Sequence, residues 1–280
     1  MEEYIQYFET MPSWQKLVWI FICLSFNWIL EALRPLISND YGKLRHIGIN
    51  MIFLASDLLI NLLVGLVTVG VYFWISQNGF GVLNLIELPF WTELLIAVLA
   101  LDFFAQYGMH YLLHQVPFLW KFHMVHHSDT HVDATTGTRH HPIDYLMREV
   151  GSLVAVALFG IPLAFYVLYR VITIFFAYIT HANITVPMWL DRPLSFLFVT
   201  PNMHKFHHHY EAPWTDTNYG NIFSIWDRLL GTLVYDDPKK VTYGLDIMDD
   251  SRDEDVMYQL TAPFDRDIRS KDPRRSNLTE

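Results

Sequence analysis

Three stretches of the chain stay apolar over the length of a membrane-spanning helix. The first runs from about Leu17 to Leu33, is interrupted by Asn27 and Glu31, and closes at Arg34-Pro35. The second runs from about Ile52 to Ser76, with Asp57 and Asn61 inside it. The third runs from about Leu94 to His114, roughly 30 Å of helix at about 1.5 Å per residue, enough for a bilayer core. Lys43 and Arg45 lie between the first two stretches, and the segment from Gln77 to Pro89 carries no Lys or Arg. The positive-inside rule puts the first loop in the cytoplasm and the second outside. The third helix then runs inward and delivers "HYLLH" to its cytoplasmic end, where Lys121, Arg139 and Arg148 agree with that side.

A fourth apolar region, Val150 to Ile179, is long enough for one tilted span. A single crossing would put the later "HKFHH" on the opposite side of the membrane from "HMVHH". Gly160-Ile161-Pro162 offers a turn. The prediction is a hairpin that enters the bilayer and returns to its own side. From Asp236 the chain is polar and charge-dense and reads as a soluble, partly mobile cytoplasmic tail. The expected fold is an all-α integral membrane protein with three spanning helices, a membrane hairpin and a cytoplasmic histidine-rich helical cap. Its expected divisions are an N-terminal transmembrane region at 1–90, a catalytic region at 91–235 and a polar tail at 236–280.

Composition agrees. Of 280 residues, 52% are hydrophobic and 17% charged, and the mean hydropathy is +0.21, more apolar than an ordinary soluble core requires. The net charge of −10 and the lack of a basic patch interleaved with aromatics argue against nucleic acid as a partner. The one cysteine, Cys23, sits in an apolar run, which rules out an intrachain disulfide and a thiolate metal site. The first residues are acidic and aromatic, so no cleavable leader is expected.

The candidate chemistry lies in the histidines, fourteen in all. In "HYLLH", His110 and His114 are four apart and share a helix face, with Asp102 and Gln106 continuing the stripe. In "HMVHH", His123 pairs with His127 at i+4 and with His126 at i+3. Those rings project within about 100° of one another, so one segment can feed two metals side by side. His204, His207 and His208 repeat the spacing, whereas His209 points away as a bystander. His46 and His131 stand alone and read as ordinary core or surface histidines. Eight clustered imidazoles suit two metals better than one closed site, because neutral imidazole is the commonest ligand for zinc, iron, copper and nickel. A structural zinc would more often recruit cysteine.

The order HYLLH, HMVHH, HKFHH resembles the fatty acid hydroxylase and sterol desaturase superfamily of membrane di-iron oxidases. "RHHPIDY" at Arg139–Tyr145, "THANI" at Thr180–Ile184 and "NYGNIFSIWDRLLGT" at Asn218–Thr232 strengthen the likeness, which covers about residues 94–235. The resemblance implies an oxygen-dependent hydroxylation or desaturation of a lipid or sterol in the bilayer. It also implies two iron ions and a separate electron donor of reductase, cytochrome or ferredoxin type. The implied catalytic and metal ligands are His110, His114, His123, His126, His127, His204, His207 and His208, with His181 as a ninth and His141 as a further candidate. Arg139, Asp144, Asn218, Tyr219, Trp226 and Asp227 are then supporting residues, and "NYGN…WDR" a packed cap over the site. The ligand types alone do not select iron, since soluble di-iron bundles are rich in glutamate. Within the superfamily the branches are hydroxylase, sterol desaturase and ether-lipid monooxygenase. Outside the oxidases stand a catalytically inactive lipid-binding relative and a histidine-rich divalent-metal transporter, whose ligands belong near the midplane of paired spans.

Overall fold

The structure is a computed structural model that describes residues 2–37, 42–211 and 214–271. Its regular structure is helical; the described residues form isolated bridges at Pro35–Ile184 and Phe198–Phe223 but no strand. A short α1 (Glu2–Glu9) precedes α2 (Ser13–Leu33) and α3 (Lys43–Asn78). Then α4 (Phe90–Ala100) passes through a wide π-type segment, Leu101–Gly108, into α5 (Met109–Gln115). After α6 (Pro117–His127) come α7 (Pro142–Phe159) and α8 (Leu163–His181). The short helices α9 (Met188–Leu194), α10 (Pro201–His207), α11 (Ile225–Leu230), α12 (Val256–Thr261) and α13 (Arg266–Lys271) complete the chain.

Four helices are long and apolar enough to cross a membrane: Ser13–Leu33, Lys43–Asn84, Phe90–Gln115 and Leu163–His181. Their packing inverts the soluble rule. On α2 the buried positions are Cys23, Leu24, Asn27 and Glu31, one helical face, while Phe21, Ile22 and Ile29 point outward. On α3 the inward stripe is His46, Asn50, Phe53 and Asp57, and Leu62 and Leu66 are 71% and 78% exposed. Apolar side chains outside and polar ones inside suit a lipid solvent.

The predicted turn between α7 and α8 forms. Gly160 ends α7 in the left-handed region at φ 66°, Ile161 is buried, and Pro162 precedes the first residue of α8. A Cβ on Gly160 would strike Phe80 O and the Asn84 side chain, and one on Gly81 would strike the Gly160 backbone, so the turn locks onto the loop after α3. The limbs splay rather than pair: α7 packs on α3 and the π-type segment, α8 on α1, α2 and α10. Only α8 has the length and apolarity of a span; α7 carries Asp144, Arg148 and Glu149. Both outer ends of the hairpin return to the histidines: Asp144 bonds His123, and His181 lies beside His126.

The described part of the expected soluble, partly mobile tail packs against α6. Ile247, Tyr258, Ala262 and Ile268 pack with Trp120 and Met124 of α6 in one apolar cluster. Gln259 accepts a hydrogen bond from Ser128 Oγ at 2.8 Å, and Arg139 donates to Asp253 O. Residues 236–271 therefore fold as part of the cap. Residues 272–280 of the expected tail lie outside the described residues.

Candidate metal centre

Four helices, α5, α6, α8 and α10, bring nine histidines together in two adjoining groups. One consists of His110, His114, His123, His127 and His207; the other of His126, His181, His204 and His208. Within each group one ring nitrogen per residue lies within 4.8 Å of all the others. Nitrogens about 2 Å from a shared metal fall roughly 3–4 Å apart, so the spacing suits metal ligation. The groups touch: the His127 ring is 4.7 Å from His208, and His123 is 5.2 Å from His126.

Helical register explains the division. His123 and His127, four apart on α6, join the five-ring group, while His126 turns to the four-ring group. The second motif is used the other way round. His204 and His208 join the four-ring group, and His207 crosses to the five-ring group. Each H-x-x-H-H segment thus gives two rings to one group and one ring to its neighbour.

Fixed acceptors set the tautomers. His126 Nδ1 donates to Arg139 O at 3.3 Å and His181 Nδ1 to Ala177 O at 2.6 Å. A carbonyl can only accept, so each ring's Nε2 is the bare nitrogen. Yet these two Nε2 atoms face each other at 3.2 Å. Likewise His110 donates from Nδ1 to Tyr219 O at 2.9 Å and His123 to Asp144 Oδ2 at 3.0 Å, leaving their Nε2 atoms 3.1 Å apart. Two lone pairs at that separation repel, and a shared cation turns the repulsion into ligation. His207 Nε2 and both nitrogens of His208 are buried with no partner among the described residues, which fits the same need. Burial, reinforced by neighbouring rings, holds the pKa values of His123, His126, His127 and His204 well below the ordinary 6.5, so these ligands are neutral.

The loop 216–220 supplies much of the outer support. His114 Nδ1 donates to Asp216 Oδ1 at 2.9 Å and His207 Nδ1 to Thr217 O at 2.7 Å, beside the Tyr219 O contact to His110. Asp216 and Asn218 both take left-handed φ values, 57° and 53°, a conformation that Asp and Asn tolerate better than most residues. Asn218 Nδ2 donates to Met203 O at 2.9 Å and to Val234 O at 2.8 Å. Asp227 accepts from Tyr219 N–H at 2.8 Å, Gly220 N–H at 2.9 Å and Thr232 Oγ at 2.7 Å. "NYGN…WDR" is therefore a packed cap that aims ligands through its backbone.

His141 joins neither group. Pro142 begins α7, and the His141 ring folds back to accept from Ile143 N–H at 3.1 Å while Nε2 lies 3.3 Å from Leu260 O. Its neighbour His140 faces the site, stacked on His126 at 5.1 Å, with Nδ1 3.3 Å from Asp57 Oδ2. His209 is a bystander, accepting from Thr242 N–H at 2.9 Å. His46 lies in a buried network with Asn50 and Asp129. Asp102 does not continue the ligand stripe: the wide π turns redirect it to Trp226 Nε1 at 2.8 Å and Tyr169 OH at 2.9 Å. Sequence reasoning missed Asp216, which carries no motif, and Lys205, which is fully buried and donates to Ala182 O at 2.6 Å. Burial lowers the Lys205 pKa to about 8.

These features define a membrane-type helical protein with paired all-histidine groups that could hold metal ions. The model of the fatty acid hydroxylase family matches residues 94–232, and this region of the chain belongs to that family. It is 32% identical over 181 residues to ornithine lipid hydroxylase OlsE of Rhizobium tropici, covering 63% of this chain and 53% of that protein. It is 29% identical over 190 residues to alkylglycerol monooxygenase of Caenorhabditis elegans, covering 65% of this chain and 35% of that one. With the Xenopus tropicalis alkylglycerol monooxygenase the identity is 31% over 189 residues, 64% of this chain and 38% of that one. The matches thus span about half the length of the first relative and little more than a third of the others. No solved structure matches the chain.

Proposed function

We propose that the chain is a membrane-bound lipid hydroxylase with a two-iron centre facing the cytoplasm. The observation that carries the reading is the convergence of nine buried imidazoles into two touching groups in which Nε2 atoms face one another at 3.1–3.2 Å. The five-ring and four-ring groups would each hold one iron. When bound, iron supplies the capacity to activate dioxygen against an unactivated C–H bond, with electrons from a separate donor.

The chain's own residues prepare that chemistry. Tyr219 O, Thr217 O, Asp216 and Asp144 hold Nδ1–H groups and so point Nε2 inward. Burial of every ring keeps water from the ligands, and it keeps His123, His126, His127 and His204 unprotonated. His110, His114 and His181 sit at the ends of candidate spans, which suits a substrate arriving from the bilayer. Relatives named ornithine lipid hydroxylase and alkylglycerol monooxygenase support the lipid class. An ether lipid is the second reading, favoured by the recurrent alkylglycerol monooxygenase likeness.

The test is lipid mass spectrometry of cells expressing the wild-type chain or a His123→Ala, His126→Ala variant, grown under labelled dioxygen. A lipid heavier by one labelled oxygen, present only with the wild type, is expected. A product lighter by two hydrogens would replace hydroxylation with desaturation. No oxygen-dependent change in any lipid class would end the oxidase reading.

A further inference from the structure

The two histidine groups differ in what stands behind them. In the five-ring group, four rings have Nδ1 within 2.7–3.0 Å of an acceptor, and two of those acceptors are carboxylates, Asp144 and Asp216. A carboxylate behind a metal-bound imidazole fixes its orientation and raises its basicity. Arg148 stands near His123 at 3.3 Å, but its Nε is paired with Asp144 at 3.1 Å.

The four-ring group has no ring on a carboxylate. His181 donates to a carbonyl, and His126 does so only at 3.3 Å. His204 Nδ1 has no acceptor among the described residues, and His208 has none for either nitrogen. Asp57 faces His140, which stacks on His126 and belongs to neither group. Lys205, buried between His204 and His207 in sequence, holds its ammonium on Ala182 O, beside His181. A cation there opposes a divalent metal instead of compensating it.

We infer that the two groups are inequivalent metal sites, the five-ring group binding tightly and the four-ring group exchanging. The inference rests on the two-iron reading above and concerns which iron is held. Loss of one outer partner typically costs about 10–100-fold in metal affinity. Two carboxylates and a fifth ring therefore predict a gap of at least about 100-fold.

The full chain, purified in lipid nanodiscs and loaded anaerobically with Fe(II), is equilibrated with a ladder of chelator concentrations. Retained iron per chain is then read by elemental mass spectrometry. The expected curve has two steps with a plateau at one iron per chain, and the steps differ roughly 100-fold in chelator concentration. His208→Ala should keep the plateau iron and His207→Ala should lose it, while Asp216→Asn should narrow the gap about tenfold or more. The wild-type curve needs no variant to fold. Release of both irons in one step overturns the inference but leaves the two-iron reading intact. A plateau that survives His207→Ala and vanishes in His208→Ala overturns it too. A chain that holds no iron at all overturns both.

Discussion

Asp227 offers the most direct measure of how far the cap controls the metal ligands. It is fully buried, and burial raises its pKa, yet it accepts three hydrogen bonds. Oδ1 takes Tyr219 N–H and Thr232 Oγ, and Oδ2 takes Gly220 N–H. Asp227→Asn is isosteric but sets an NH2 group against one or other of these donors, whichever way the amide points. Leaving one buried donor without an acceptor costs about 1–3 kcal/mol. Asp227→Ala strands the two backbone donors, while Thr232 Oγ keeps Tyr107 OH at 2.9 Å, so a loss of roughly 2–6 kcal/mol follows on the same scale. At about 2–4 °C per kcal/mol for domains of 150–250 residues, Asp227→Asn should lower the unfolding midpoint by roughly 5 °C and Asp227→Ala by roughly 10 °C or more. The loop carries Tyr219 O, the acceptor for His110 Nδ1, so iron affinity should also fall, by up to about tenfold. Differential scanning fluorimetry in detergent and iron-retention curves measure both effects. An Asp227→Asn chain with an unchanged midpoint and unchanged iron retention would refute the claim that this carboxylate positions the ligand loop.

His141→Ala should load the same iron per chain as wild type, because the ring caps α7 instead of joining a group; elemental analysis checks this, and the lost cap should cost about 1 kcal/mol. Gly137→Ala would set a Cβ 2.7 Å from Ala177 O, the acceptor of His181 Nδ1. The displacement should cost about 1–3 kcal/mol, read as a lower unfolding midpoint, with iron loss confined to the four-ring group. The metal-free chain should be acid-sensitive. Burial depresses the folded pKa values of His123, His126, His127 and His204, so below about 6.5 the unfolded chain binds more protons. Stability is thus present above about pH 6.5 and lost as the pH falls, by up to about 1.4 kcal/mol per pH unit per ring. Chemical unfolding between pH 7.5 and 5 measures it, and a flat profile would contradict the neutral-ligand assignment.

The long apolar helices and the turn between α7 and α8 were legible because lipid as solvent rewards long apolar runs, and Gly160-Ile161-Pro162 leaves few alternatives to a turn. The doubled H-x-x-H-H spacing carried the idea of two metals, but not which ring goes where. That partition depends on the opposed approach of α6 and α10, which no local pattern encodes. His141 looked like a ligand because it belongs to a recognisable motif. Pro142 behind it already specified an extended residue before a helix start, and hence a ring turned to its own N-terminus. Asp216 left no trace, since its role comes from a left-handed backbone inside a polar loop. The cap at 236–271 hid because Ile247, Tyr258 and Ile268 are sparse among charges, too few to read as periodic and enough to cover Trp120.

Glu31 and Asp57, which read as blemishes in the first two spans, tie the N-terminal helices to the histidines. Glu31 Oε1 accepts from Ala134 N–H at 2.8 Å and Asn183 N–H at 2.9 Å, holding the segment after α6 against the residue two past His181. Asn50 donates to Thr135 Oγ at 2.9 Å, and its own oxygen lies 3.3 Å from Arg139 Nη1, whose backbone carbonyl faces His126. Asp57 holds His140 against that same ring. A polar group facing lipid would be costly, so each of these residues must find a partner inside the bundle, and the partners found are the loops that carry ligands. The region matched by the family begins at residue 94, yet the four-ring group is braced by residues 31, 50 and 57. The N-terminal helices therefore brace the histidine groups from outside the matched region.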